Sequence, residues 1–231
     1  MVLTLGIKEV LPATPRARIV RIELGGAAFD YASGQAVLVG DTNGRKRPYS
    51  LAAPPEESRQ TGYLELLVGV DATGTPGPHL TLERGRLVDV EGPLGSFTFP
   101  QVPKERRFVF IAGGTGIAPL RAMLHHALAI EHAQIGLLYS ARTPDEFAYE
   151  EELRRLARQG KIELRQTVTR PAADGWSGAR GRIGRSELQP LVHDPATLCF
   201  VCGPPALVSE MSTLLNELGI ARSRIRIEEW G

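Results

Sequence analysis

The sequence predicts two domains in series: an antiparallel β-barrel or sandwich, then an α/β domain built on an open parallel sheet. Three observations predict this. Before about residue 103, short β-prone runs alternate with Gly/Pro turns, the rhythm of an antiparallel fold. Beyond it, apolar runs of strand length alternate with helical patterns, which is the βαβ signature. Between the two lies Phe99-Pro100-Gln101-Val102-Pro103, a proline-bracketed linker. The expected boundary therefore divides residues 1–103 from residues 104–231.

In the first domain, Ala17 to Leu24, Ala36 to Gly40, Tyr63 to Val70 and Leu87 to Glu91 read as strands. Pro78 to Arg84 reads as the one short helix, with Pro78 suited to a first helical position. Arg47-Pro48-Tyr49-Ser50 reads as a polar stretch that follows a strand, and Gly92-Pro93-Leu94-Gly95-Ser96-Phe97 as a turn entering a final strand. In the second domain, Phe108–Ala112, Ile135–Ser140, Ile162–Thr169, Leu198–Cys202 and Ile225–Glu229 read as strands. Pro119–Glu131, Pro144–Gln159 and Pro205–Leu218 read as helices, and a further short helix starts near Ser186.

The 231 residues are 42% hydrophobic, enough to bury a core in each domain. A net charge of +1 gives no electrostatic case for nucleic acid or a membrane surface. No apolar stretch approaches the roughly 20 residues of a spanning helix. The opening MVLTLGIKEV lacks the layout of a signal peptide. With two cysteines, the chain fits a reducing compartment, so a cytoplasmic location is expected. Cys199 and Cys202 have C-x-x-C spacing, but they lie in a β-prone run where residues three apart point to opposite faces. Two thiolates also cannot hold an iron–sulfur cluster that needs four. His125 and His126 are adjacent and share no helix face, so no metal site is expected.

Four stretches carry chemistry. Phe108 to Ala112 runs into Gly113-Gly114-Thr115-Gly116 and then a helix pattern. Glycines allow close backbone approach, and a helix start offers N–H groups and a positive dipole end to an anion. In RPYS, Arg47 can hold a phosphate bidentately, Tyr49 offers a flat face, and Ser50 a small hydroxyl. Gly74-Thr75-Pro76-Gly77-Pro78 can present N–H groups to a second phosphate. Val201-Cys202-Gly203-Pro204-Pro205 ends a strand and opens a helix, placing Cys202 at a carboxyl strand end, where ligands of open sheets bind. Taken singly, each has a plainer reading: a turn, a polar strand edge or a buried small side chain.

Taken in order, RPYS, GPLGSF, GGTGIAP, CGPP and an aromatic residue near the C-terminus resemble the ferredoxin–NADP reductase superfamily, over essentially the whole chain. The resemblance implies an antiparallel FAD-binding β-barrel followed by an NAD(P)-binding α/β domain. It implies that Arg47 contacts a flavin phosphate, that Tyr49 packs on the isoalloxazine and that Ser50 sits near its reactive nitrogen, with Pro48 between them. Val68, Gly77, Pro78 and His79 join the flavin site. Gly114, Thr115 and Gly116 cradle the pyridine-nucleotide pyrophosphate, while Cys202 and Gly203 lie near the nicotinamide. Trp230 stacks on the flavin, and Glu228 corresponds to an acidic residue of plant-type members. The residues implied to take part in hydride transfer are thus Ser50, Cys202, Glu228 and Trp230.

The chain departs from the family in three places. Gly77 stands where the family often has Ser or Thr, leaving backbone N–H groups to hold the flavin pyrophosphate. Gly69 and Val70 stand where a basic residue often follows the strand that ends at Val68, and Gly231 follows the terminal aromatic. Tyr139-Ser140-Ala141-Arg142 ends the second α/β strand, where the family reads the adenosine ribose, and Thr169-Arg170 ends the third and resembles the Ser-Arg pair of NADP-preferring members, so NADPH is expected, with NADH as the alternative. The implied activity is hydride transfer from NAD(P)H to FAD, then single-electron delivery to a separate acceptor such as a ferredoxin or oxygenase component. With no cysteine-rich extension after Trp230, a built-in cluster is not expected. A free-flavin or ferric reductase and an electron-transfer subunit of a larger complex are the alternatives. A monomer or weak dimer is expected.

Overall fold

The structure, a computed structural model, describes residues 1–170 and 176–230, so Gly231 lies outside the described residues. The chain forms two compact units, Met1–Phe99 with Arg121–His126, and Pro100–Leu120 with Ala127–Gly231.

In the first unit the strands are β1 (Val2–Thr14), β2 (Ala17–Glu23), β3 (Ala36–Asp41), β4 (Arg47–Ser50), β5 (Tyr63–Gly69) and β6 (Leu87–Leu94), with helix α1 (Pro55–Thr61) between β4 and β5. They form an antiparallel sheet in the order β4-β3-β6-β1-β2-β5. Just beyond β4, Leu51 bridges to Leu66 of β5, and the Ala52 N–H donates to the Glu65 carbonyl at 2.8 Å. The two edge strands are thereby joined and the sheet closes as a barrel, which removes the exposed edges that invite aggregation. Alternate side chains, among them Ile7, Ile22, Val39, Leu64, Leu66 and Val90, fill its interior.

Several expectations for this unit need correction. Pro78 to Arg84 is not helical. Asp41 takes the backbone there for itself: its carboxylate accepts from the Thr81 N–H (3.1 Å) and Thr81 Oγ1 (2.7 Å), and its N–H donates to the His79 carbonyl (2.8 Å). A helix this short has too few internal bonds to compete. RPYS follows strand β3, as expected, but is itself a strand, β4, paired with β3. Gly92–Leu94 closes β6 rather than opening a new strand. The long β1 went unread because Gly6 and Pro12 interrupt its pattern, and bulges near Glu9 and Thr14 absorb the irregularity. Helix α1 carries its own signals, with Pro55 in the first turn, Glu56 and Glu57 beside the positive dipole end, and Gly62 closing it at φ +76°.

The second unit places β7 (Arg107–Gly113), β8 (Gln134–Ala141), β9 (Glu163–Val168), β10 (Ala179–Arg180), β11 (Leu198–Gly203) and β12 (Ile225–Glu229) in one parallel sheet, ordered β10-β9-β8-β7-β11-β12. Helices α2 (Ile117–Ala129), α3 (Glu150–Arg158), α4 (Arg185–Leu188) and α5 (Pro205–Glu217) connect the strands. The order reverses at β7, between β8 and β11, which creates the switch point where open α/β sheets bind ligands. β7 and β11 read as unbroken apolar runs because both of their faces are covered. The helix expected over Pro144–Gln159 is broken: a 3₁₀ turn spans Pro144–Glu146, and α3 starts only after Tyr149, at φ +59°. Phe147 is extended and buried edge-on against Tyr139, with ring centroids 4.9 Å apart, and this packing outweighs helix continuation. Among the described residues no helix is long and apolar enough to cross a membrane.

Candidate functional site

In the first unit, β4 sets Arg47, Pro48, Tyr49 and Ser50 opposite Val39, Leu38, Val37 and Ala36 of β3. Arg47 and Pro48 are exposed, Tyr49 is half-buried and Ser50 is buried. Arg47 forms no ion pair among the described residues. Tyr49 Oη lies 2.7 Å from His79 Nε2, and the two rings are nearly parallel, 15° apart in plane. The structure therefore brings RPYS and the loop from Gly77 to His79 together. Burial pushes the Tyr49 hydroxyl up to about 12, with Arg47 opposing, so it remains protonated. Burial and the Arg47 charge hold His79 below the ordinary imidazole range, while Asp41 opposes. His79 Nδ1 is buried with no hydrogen-bond partner among the described residues. The Gly77 N–H is already taken by Thr75 Oγ1 at 3.2 Å. Pro78 has no N–H to offer. Val68 is wholly buried in the barrel core, so only its backbone can face a ligand.

In the second unit the glycine turn after β7 is a 3₁₀ turn, Gly114–Gly116, leading directly into α2. Gly116 permits no side chain, since a Cβ would lie 2.3 Å from the Cys202 carbonyl oxygen. A Cβ on Gly113 would lie 2.6 Å from Leu207 Cδ2, and one on Gly203 would lie 3.2 Å from the Gly113 backbone. These glycines let the turns after β7 and β11 pack backbone against backbone. Gly114 sits at φ +55°, exposed, as is Thr115. Its carbonyl accepts from Tyr139 Oη at 3.1 Å, and Tyr139 Oη in turn accepts from the Ala148 N–H at 3.2 Å. This buried anchor fixes the turn, and it escaped sequence reading because Tyr139 looks like any apolar strand residue. Asp41 escaped for a similar reason, its partner Thr81 lying 40 positions away.

Arg142 and Arg170 lie just past β8 and β9, and the Arg170 N–H donates to the Arg142 carbonyl at 2.9 Å. Both are exposed, and neither forms an ion pair among the described residues. At the end of β11, Cys202 pairs in register with Glu228 of β12. Its Sγ lies 3.9 Å from Glu228 Oε2, and Trp230 Nε1 donates to the same oxygen at 2.8 Å. The Trp230 N–H donates to the Gly203 carbonyl at 3.1 Å. Burial, then the Glu228 carboxylate, pushes the Cys202 thiol up, so it is a neutral S–H rather than a thiolate. No group of three metal-ligating side chains occurs among the described residues.

Residues 110–213 match the family model of the oxidoreductase NAD-binding domain. The chain is 34% identical, over 236 aligned positions, to ferredoxin–NADP reductase B of Sorangium cellulosum, covering 96% of this chain and 94% of that one. The chain belongs to the ferredoxin–NADP reductase superfamily. It is a flavin-dependent NAD(P)H reductase, and FAD and NAD(P) are the cofactors of that superfamily. NADH-cytochrome b5 reductase 1 of Pyricularia oryzae is 30% identical over 179 residues, 74% of this chain and 57% of that longer one. The solved Amycolatopsis cytochrome P450 reductase superposes with a TM-score of 0.86 at 25% identity, covering 99% of this chain and 69% of that one. A ferredoxin NADP+ reductase from Neisseria gonorrhoeae, with bound FAD and NADP, shares the fold at a TM-score of 0.83 and 20% identity, covering 99% and 98%. The residues present fit both cofactors. The His79 Nδ1, which has no hydrogen-bond partner among the described residues, and Arg47, which forms no ion pair among them, suit a flavin phosphate, and the exposed turn at Gly114 and Thr115, open above Gly114 and leading into α2, suits a pyrophosphate held by backbone N–H groups.

Proposed function

We propose that this reductase takes a hydride from NADPH onto FAD and passes electrons singly to a separate ferredoxin-like or oxygenase component. Bound FAD supplies the two-electron to one-electron chemistry. The protein's residues bind and orient. Residues 1–103 serve as the flavin domain and residues 104–231 as the nucleotide domain. In the flavin domain, Arg47 holds a phosphate, Tyr49 covers the ring system, and Ser50 lies near its reactive nitrogen. Pro48, the Val68 backbone and Gly77 to His79 line the same site. In the nucleotide domain, Gly114, Thr115 and Gly116 hold the pyrophosphate, while Cys202 and Gly203 flank the nicotinamide. Glu228 holds the Trp230 indole through its 2.8 Å hydrogen bond, so that Trp230 can serve as an aromatic cover for the flavin.

The observation that carries the NADPH reading is the Arg142–Arg170 pair, linked by a 2.9 Å backbone bond and free of ion pairs among the described residues. Two exposed arginines joined at the backbone, neither in an ion pair among the described residues, can together serve a dianion. The ferredoxin reading is supported by similarity to a reductase of that name along nearly the full length of both chains. We place the enzyme in the cytoplasm as a monomer or weak dimer, with the unpaired thiols of Cys199 and Cys202 supporting a reducing compartment.

Anaerobic titration of the FAD-loaded protein tests this reading. NADPH is expected to bleach the flavin band fast and NADH slowly. Arg142→Ala with Arg170→Ala is expected to weaken NADPH binding roughly 10- to 150-fold, the scale of a hydrogen bond to a charged group, and to leave NADH binding nearly unchanged. Equal bleaching by both nucleotides, unaltered in the double variant, removes the 2′-phosphate role. Reduction of free flavin or ferric complexes faster than of any ferredoxin redirects the acceptor to a small molecule.

A further inference from the structure

Resting on the flavin reading of the first unit and deepening it, we propose that Tyr49 and His79 act as one device. The Tyr49 hydroxyl fixes the His79 tautomer, so that Nδ1–H becomes the donor to a flavin phosphate where Gly77 brings no hydroxyl.

A neutral imidazole has one donor nitrogen and one acceptor. Tyr49 Oη lies 2.7 Å from Nε2. As donor, the hydroxyl makes Nε2 the acceptor and puts the ring proton on Nδ1. That leaves Nδ1–H as a donor on a residue only 5% exposed, with no partner among the described residues. A buried unmet donor costs about 1–3 kcal/mol, so the site is complete only when an acceptor arrives.

The surroundings select an anion and prevent the ring from turning away. The Asp41 N–H donates to the His79 carbonyl at 2.8 Å. The Asp41 carboxylate holds Thr81 through two bonds and Arg86 through Nη2 at 3.1 Å, so the backbone at His79 and on its C-terminal side is pinned. Nδ1 faces Gly77, where even a Cβ would stand 3.6 Å off, and Gly77 at φ +110° is a position that L side chains rarely adopt. The side toward Gly77 therefore stays open. The Arg47 charge acts on both Tyr49 and His79, adding a positive field that a phosphate relieves.

Three measurements test the device. ¹⁵N NMR of the flavin-free protein is expected to show His79 Nδ1 protonated and Nε2 unprotonated, with Tyr49→Phe releasing the preference. FAD affinity, read by flavin fluorescence, is expected to fall about tenfold or more in His79→Leu, the scale of a hydrogen bond to a charged group. It is expected to fall several-fold in Tyr49→Phe and to recover mostly in His79→Asn, whose amide N–H lies near the Nδ1 position. At saturating FAD, the ³¹P resonances of bound FAD are expected to shift between wild type and His79→Leu. A proton on Nε2 in the wild type, unmoved ³¹P resonances, or FAD affinity unchanged in His79→Leu overturns the device while leaving the flavoprotein reading intact. Wild-type protein that binds no FAD overturns both.

Discussion

At Gly116 the backbone has room for a hydrogen and nothing larger, because a Cβ would collide with the Cys202 carbonyl at 2.3 Å. Backbone cannot yield as a flexible side-chain tip can. Gly116→Ala is expected to cost about 1–3 kcal/mol of stability and to weaken nucleotide binding with little change in FAD affinity; parallel urea melts and NADP+ titrations check it. Glu65 is the converse case, a carboxylate only 1% exposed, with Arg21 Nε at 2.9 Å, Arg121 Nη1 at 3.4 Å and the Arg121 guanidinium also bonded to the Ala52 carbonyl. Removing one partner of a buried pair leaves uncompensated charge. Glu65→Ala is therefore expected to cost about 3–5 kcal/mol in urea unfolding. The buried cysteines supply a pH signature. Burial pushes Cys199 up to about 12 and Cys202 up as well, so folding favours the neutral thiols. A raised thiol pKa contributes stability that is fully present below the unfolded value, near 8.5, and is lost as pH climbs through the folded value. The native protein is expected to resist thiol alkylation at pH 8 and to lose stability steadily above about pH 9; iodoacetamide labelling in buffer and in denaturant checks the first part.

At the scale of elements, the strand ends do most of the positioning. The turns after β7 and β11 are rigid because glycines on both sides let them touch. The arms after β8 and β9 are joined by backbone bonds, Thr169 N–H to the Ala141 carbonyl at 3.0 Å and Arg170 N–H to the Arg142 carbonyl at 2.9 Å. The loop from Gly77 to Arg86 has no helix or strand of its own and depends on Asp41. Asp41→Asn leaves the shape but weakens the bonds from Thr81 and Arg86, whose combined effect holds the Asp41 carboxyl below its ordinary range against the cost of burial. The variant is expected to weaken FAD binding several-fold while leaving NADP+ binding unchanged, as isothermal titration with each ligand checks. Because the Asp41 pKa is depressed in the folded state, its contribution is full above the unfolded pKa and fades as pH falls through the folded one.

At the scale of the whole molecule there are two units with separate cores, and each ligand is expected to stabilise the unit that holds it. FAD at 100 times its Kd adds about 2.7 kcal/mol by mass action. Calorimetry with FAD alone, NADP+ alone and both checks whether the two ligands act on separable transitions.

Much of this was legible along the chain. Alternation of apolar strands with helix patterns, proline at helix starts and glycine after strand ends are local signals, set by backbone sterics and by the termini's unmet N–H groups. They sufficed for the parallel sheet, its glycine turn and the motif order that points to the superfamily. The tertiary structure decided what depends on partners distant in sequence. Asp41 claims the backbone near Thr81 and abolishes an expected helix, Phe147 breaks another to pack on Tyr139, and Leu51 meets Leu66 to close the barrel. Tyr49 meets His79 across 30 positions. Local sequence records a residue's preference, but the winning hydrogen-bond or packing partner is chosen only when the folded chain brings the competitors together.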